Sequence, residues 1–220
     1  PLPELDEPEL PLPELEGTIL LPRGPRTGNL LHGLLETIAF AAAAAGDTAF
    51  RKAVMPQVTA ALFRSRIRPV AGWSGGEADP HGALVREVCS LLYGALTVPL
   101  SDRDGSTFRL CEIPPADRKH ELEFHFRMDA EEAALLDSDS FHFSHGFITG
   151  FIDLVFRRGG RYHILDWKSN WLPAWNRDTL EQGMQAHKYH LQASIYAEAV
   201  SRWLAAHDLP RHGDAVLGEA

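Results

Sequence analysis

The sequence predicts an α/β domain in which a mixed central sheet is flanked by helices. Three observations predict it. Helical periodicity comes first, strand alternation gathers in the middle, and helical periodicity returns at the end, an order that suits a sheet covered on both faces. A Gly159-Gly160 pair between two apolar runs marks a hairpin. Finally, 220 residues that are 45% hydrophobic supply a core for one full-sized domain, or at most a domain with a small appendage.

The chain opens with "PLPELDEPELPLPELE", which holds six acidic residues, no basic ones and five prolines, and repeats PLPEL at 1–5 and 11–15. Residues 1–17 therefore read as an extended, solvated tether ahead of a single domain over 18–220. The tether carries most of the formal charge of −9: without its six acids, 24 acidic residues face 21 basic ones, a net −3. A nearly neutral globular part leaves room for a local basic groove. The first residue is proline, as expected of a piece of a longer chain.

In "RTGNLLHGLLETIAFAAAAAG", Thr27 is placed to cap a helix, with Leu31, Leu34, Leu35 and Ile38 on its apolar side and Gly46 as its stop. A second helix spans Thr48 to about Ser65 and brings Arg51, Lys52, Arg64 and Arg66. After the loop "SGGEADPHG", Asp79-Pro80 begins a helix towards Leu96. Phe108–Ile113 and Glu121–Arg127 read as strands, the second alternating in "ELEFHFR". A short helix around Ala130–Leu136 precedes a Ser/His/Asp-rich loop, then the hairpin, then one long helix from about Asp178 to His207.

The composition excludes several classes. No run approaches the ~18 apolar residues of a membrane helix, and no signal-peptide pattern is present, so no membrane partner is expected. No G-x-x-x-x-G-K-[ST] loop occurs, so ATP hydrolysis by this chain alone is not expected. Cys89 and Cys111 fit no zinc or iron–sulfur spacing and read as free thiols of a reducing, cytoplasmic compartment. His142 and His145 have no diagnostic spacing for a metal site.

With Gly159-Gly160 as a type I′ turn, Arg158 pairs with Arg161, and counting outward sets Asp153 opposite Asp166. Cβ atoms in such a pair lie roughly 4.5–5.5 Å apart, where like charges destabilise. Their neighbours Phe151, Val155, Tyr162 and Ile164 are apolar. Two burial-prone carboxylates at that distance require protonation or a bridging cation. Lys168 points to the same face as Asp166. One reading is a surface pair with Lys168 as salt-bridge partner. The other is a site for a hard divalent cation, Mg²⁺, Mn²⁺ or Ca²⁺, with an ammonium beside it. Along the last helix Gln185, Tyr189, Gln192 and Tyr196 fall on one stripe, next to an apolar stripe of Leu191, Ile195, Ala199 and Leu204. That polar stripe is either an exposed face or a surface for phosphate oxygens and stacked bases.

"GFIDLVF", "LDWKSNWL" and "QAHKYHLQASIYAEAV", together with "LPRGPRTGNLLHGLLE" and "ELEF", resemble the C-terminal nuclease domains of the RecB family, the beta subunits of exodeoxyribonuclease V. Those domains belong to the PD-(D/E)XK superfamily, and the resemblance covers about residues 20 to 207. It implies a restriction-endonuclease-like fold and Mg²⁺-dependent exonuclease cleavage of DNA. It implies that Asp153, Asp166, the main-chain carbonyl of Trp167 and His32 bind the metal, that Lys168 is catalytic, and that Gln192 and Tyr196 are the Q-x-x-x-Y pair. Gln185 and Tyr189 match neighbouring positions and are expected at the DNA. The implied partners are DNA, the helicase domains and subunits of a RecBCD-like complex in double-strand-break repair and recombination, and a RecA-type recombinase. "DWK" stands where the family usually has "DYK". In the family a further strand follows the last helix, and here the chain stops at "DAVLGEA", as that strand begins. Two rivals are a catalytically silent DNA-binding or recombinase-docking module with the same fold, and a metal-dependent hydrolase of small phosphoesters.

Overall fold

The structure, a computed structural model, describes residues 21–70, 79–102, 104–128, 142–144, 146–170, 172, 176–207 and 216–217. The expected tether over 1–17, the helix expected around Ala130–Leu136, and His145 lie outside the described residues.

Helix α1 (Pro25–Thr37) starts on Gly24, whose φ of 115° suits glycine, with Pro25 at the first helical position. Thr27 therefore lies inside the first turn rather than capping it, and its hydroxyl donates to the Pro22 carbonyl at 2.5 Å. The helix ends at Thr37 instead of running to Gly46. Ile38 takes extended backbone and both it and Phe40 are buried, whereas side chains two positions apart on a continuing helix would point to different sides. The short α2 (Ala41–Ala44) follows, then α3 (Asp47–Ser65), which continues through Pro56. Helix α4 (Pro80–Thr97) is capped as expected, the Asp79 carboxylate accepting from the Gly82 amide at 2.9 Å.

Strands β1 (Leu100–Ser101) and β2 (Thr107–Phe108) form a small antiparallel pair. The strand expected to Ile113 gives way to a 3₁₀ turn over Leu110–Glu112. Leu110, Cys111 and Ile113 are all buried, and alternation cannot bury the first two together.

The main sheet comprises β3 (Arg118–Arg127), β4 (His142–Ser144), β5 (Phe147–Arg158), β6 (Arg161–Leu165) and β7 (Val216–Leu217). The order is β3-β5-β6-β7, with β4 also on β5. All pairs are antiparallel except β6–β7, so the sheet is mixed, and the last described residues do form a strand. Gly159 and Gly160 have φ of 57° and 77°, and Arg158 faces Arg161, the register counted from the sequence. The hairpin tip is anchored where Arg158 donates to Asp102 at 3.1 Å.

Two cores sandwich the sheet. Helices α1 to α4 pack over Leu154 and Phe156. On the other side Ile195, Ala199, Val200 and Leu204 of α6 (Tyr189–Ala206) cover Leu122, Phe124, Phe126, Ile148, Ile152 and Val155. The even-numbered side chains change sides along the way. His120 meets Phe40 of the first core edge-on at 5.2 Å, whereas Leu122 lies under α6. On β5, Ile152 lies under α6 and Leu154 faces α1–α4. The switch falls at Glu121, which has a left-handed φ of 48°, and at Asp153, where the ladder passes from His120↔Leu154 to Leu122↔Ile152.

The long helix expected from Asp178 to His207 is two helices, α5 (Arg177–Ala186) and α6. Lys188 takes φ 53°, which ends one helix and re-aims the next under the sheet. Among the described residues no helix is long and apolar enough to cross a membrane, and Cys89 and Cys111 are free and buried.

Candidate active site

Asp153 and Asp166 are the next positions beyond the Leu154↔Leu165 pair that closes the β5–β6 ladder. The chain stays beside β5 past that point because the Trp167 amide donates to Asp153 Oδ2 at 2.6 Å. From α1, His32 Nδ1 approaches the same oxygen at 3.7 Å. Gly28 helps bring α1 this close, since a Cβ there would stand 2.7 Å from Ser169 Oγ, just past Lys168.

From the opposite face, α6 holds Asp166. The Tyr196 hydroxyl donates to Asp166 Oδ1 at 3.2 Å, and Gln192 Nε2 lies 3.3 Å from the same oxygen and 2.8 Å from the hydroxyl. The Lys168 ammonium bridges Asp166 Oδ2 and Gln192 Oε1, the latter at 3.0 Å, and sits 4.4 Å over the Tyr189 ring. The Tyr189 hydroxyl in turn donates to Asn170 Oδ1 at 2.9 Å.

A family model for the PD-(D/E)XK nuclease superfamily matches residues 10–216, nearly the whole chain. The chain belongs to the PD-(D/E)XK nuclease superfamily. It is similar to the RecBCD enzyme subunit RecB of Escherichia coli (strain K12), 29% identical over 89% of this chain, and to that of Borreliella burgdorferi, 26% over 87%. A shorter stretch, 48% of this chain, is 33% identical to the Haemophilus influenzae subunit. The chain spans 16% of the length of the first two relatives. Residues 166–168 read D-W-K, the D-X-K form in the superfamily's name.

Six of the nine residues singled out in the sequence (His32, Asp153, Asp166, Lys168, Gln192 and Tyr196) converge here, while Trp167 contributes its backbone. Tyr189 joins through Lys168 and Asn170. Gln185 does not join: it lies on α5 and donates to Glu181 at 3.0 Å, so the single stripe drawn across one helix is split by the Lys188 turn. Nor are Gln192 and Tyr196 a surface. They are 5% and 4% exposed, and Tyr196 meets Phe124 edge-on, so neither can stack on a base. Buried polar groups need partners, and theirs are Asp166, Lys168 and each other.

For a PD-(D/E)XK nuclease the donor set is the test of cation fit. Burial pushes the Asp166 carboxyl above its ordinary range despite the Lys168 ammonium. Its buried Oδ2 has the lysine contact but no hydrogen bond of good geometry. The Asp153 carboxylate beside it raises the His32 pKa, against the opposing effect of burial. A third carboxyl, Glu121, is exposed beside them and is also pushed up, by desolvation and by the charges of Asp153 and Glu36. Asp153 and Asp166 offer carboxylate oxygens, the donor type that a hard divalent cation takes. Among the described residues no three His, Cys, Asp or Glu side chains stand together as a group that could hold a metal ion. Glu121 was not singled out in the sequence because alternation makes it one more outward residue of a strand. Its backbone is left-handed, with φ 48°, and no glycine or proline announced that.

Proposed function

We propose that this chain is a metal-dependent deoxyribonuclease domain, the exonuclease part of a RecBCD-like helicase-nuclease acting in double-strand-break repair and recombination. The observation that carries the reading is Lys168, held between the Asp166 carboxylate and the Gln192 amide at the open end of the hairpin, beside Asp153. Superfamily membership and the likeness to RecB subunits support it. The residues that would hold Mg²⁺, with Mn²⁺ or Ca²⁺ as substitutes, are Asp153, Asp166, the Trp167 carbonyl and His32. When bound, the cation supplies Lewis-acid polarisation of a phosphate and a water of lowered pKa.

The chain's own groups do the rest. Tyr196 and Gln192 fix Asp166 Oδ1 and, through Gln192 Oε1, aim the Lys168 ammonium. Held there, Lys168 neutralises charge that develops on the phosphate oxygens during in-line attack by water. Asp153 is held by the Trp167 amide, so the two carboxylates keep their spacing through the reaction. Helicase domains, further subunits of a RecBCD-like complex and a RecA-type recombinase are the partners this reading expects.

The test is incubation of the purified chain with linear single-stranded DNA, without ATP, in Mg²⁺ and in excess chelator. Cleavage only in Mg²⁺ is expected. Degradation undiminished by chelator sinks the reading.

A further inference from the structure

Beyond the switch at Glu121 and Asp153, one face of the β3–β5 ladder is covered by α6, and among the described residues the other is open. The residues of the open face alternate with buried ones: Glu123, His125 and Arg127 on β3, and Phe147, Thr149 and Phe151 on β5, paired Glu123↔Phe151, His125↔Thr149 and Arg127↔Phe147. Two phenylalanines on this face are exposed, Phe151 by 51% and Phe147 by 39%. The His125 ring lies flat on Phe147, 4.7 Å between centroids and 10° from parallel. Arg127 is exposed at the far end.

An apolar aromatic face left in water calls for an occupant, and its position points to one. Ile152 enters the α6 core, so Asp153, the next residue, is turned to the opposite side, towards His32. Phe151 is on that same side, two residues from the carboxylate. The platform is therefore the uncovered continuation of the face that bears Asp153. We propose that Phe151 and the His125–Phe147 stack are a binding platform for the unpaired bases of a single DNA strand leading to or from the scissile phosphate, with Arg127 on its backbone. The chemistry favours this over a protein partner or a second copy: flat rings in series with a guanidinium bind any base without reading it, and the row runs into a phosphodiester site. A duplex cannot use it, because its bases already stack on one another. The inference rests on the nuclease reading for its choice of polymer and names the substrate form, a strand with unpaired bases.

The experiment measures binding rather than cleavage. Fluorescence anisotropy of a labelled oligothymidylate, and of a duplex of mixed sequence, is recorded with the full chain in chelator. Phe151→Ala and Phe147→Ala are each expected to weaken single-strand binding roughly 5- to 100-fold, with the duplex little changed and the melting temperature unmoved. Phe151→Trp is expected to restore it. Neither Phe→Ala change should alter the salt slope, whereas Arg127→Ala should lower that slope by about one. Phe63→Ala, on the exposed side of α3 and 80% exposed, serves as the control for losing a surface ring. Equal loss for single strand and duplex, no loss at all, or a loss matched by Phe63→Ala overturns the platform. So does a concentration-dependent dimer that Phe151→Ala dissolves. A chain that cleaves DNA in Mg²⁺ yet binds strands equally well with Phe151→Ala keeps the nuclease reading and loses this one. A chain that binds through Phe151 but cuts nothing does the reverse.

Discussion

At the scale of single residues, the site depends on a hydroxyl and an amide that no substrate touches. Tyr196 and Gln192 are buried behind Asp166, and a buried polar pair without its partners is costly. Tyr196→Phe removes one hydrogen bond to Asp166 Oδ1 and one from Gln192, while the ring keeps its place against Phe124. The expected stability loss is about 0.5–1.5 kcal/mol, read from a denaturant melt, together with a fall in kcat and little change in KM. A rise in KM alone would return Tyr196 to the substrate surface. Lys168→Ala should lower cleavage by about 10²–10³ and leave Mg²⁺ binding by calorimetry intact, because the expected ligands are oxygens and an imidazole. Wild-type turnover in that variant would reduce Lys168 to a salt-bridge partner. Both residues of the Q-x-x-x-Y pair were legible in the sequence as a motif, yet not as buried. A one-in-four spacing shows which side of a helix two residues share but not what that side meets.

At the scale of elements, the errors and the function coincide. The hairpin register followed from two glycines, and the type I′ turn left one way to count outward. The Lys188 break and the Glu121 switch were invisible because each puts a charged side chain, not glycine, into left-handed backbone. Such a residue costs roughly 1–2 kcal/mol and persists where its surroundings hold it. Glu121→Gly should thus stabilise the metal-free chain by up to about 1 kcal/mol while reducing Mg²⁺-dependent cleavage. Glu121→Gln keeps the backbone cost and separates the two effects. If Glu121→Gly is less stable than wild type, the strand does not carry that strain. His163 on β6 offers a different handle. It is 4% exposed, stacks on Phe156 at 4.9 Å and 8°, and its pKa is lowered by burial, although Asp102 lies 4.0 Å away. The unfolded chain then binds the proton more readily than the folded one, so stability is full above about pH 6.5 and declines below it. His163→Phe keeps the stack and should flatten the acid side of the melting-temperature profile between about pH 6.5 and 5. An unchanged slope assigns the acid loss to other groups.

At the scale of the molecule, a family-matching chain divides its core in two, and the site lies in the seam. His32 comes from one core, Gln192 and Tyr196 from the other, and the two aspartates from the sheet between. Metal-free, the sheet end holds a buried carboxylate that burial disfavours. In chelator Asp166→Asn should therefore be the more stable chain by roughly 0.2–1 kcal/mol. A Mg²⁺ series should invert the order, since wild type gains about 2.7 kcal/mol at 100 times its Kd and the variant less. Equal stabilisation of both chains places the cation elsewhere.

The seam also imposes a timetable. The helix that aims Lys168 and fixes Asp166 is made after both of them: Gln192 follows Lys168 by 24 residues and Tyr196 follows Asp166 by 30. A ribosome delivers His32, then Asp153, then Lys168, while the side chains that discipline them are still inside the exit tunnel. During that interval the Trp167 amide can already hold Asp153, but nothing yet aims the Lys168 ammonium or fixes Asp166 Oδ1. Only once α6 is made are Gln192 and Tyr196 there to hold Lys168 and Asp166, so the site is completed last.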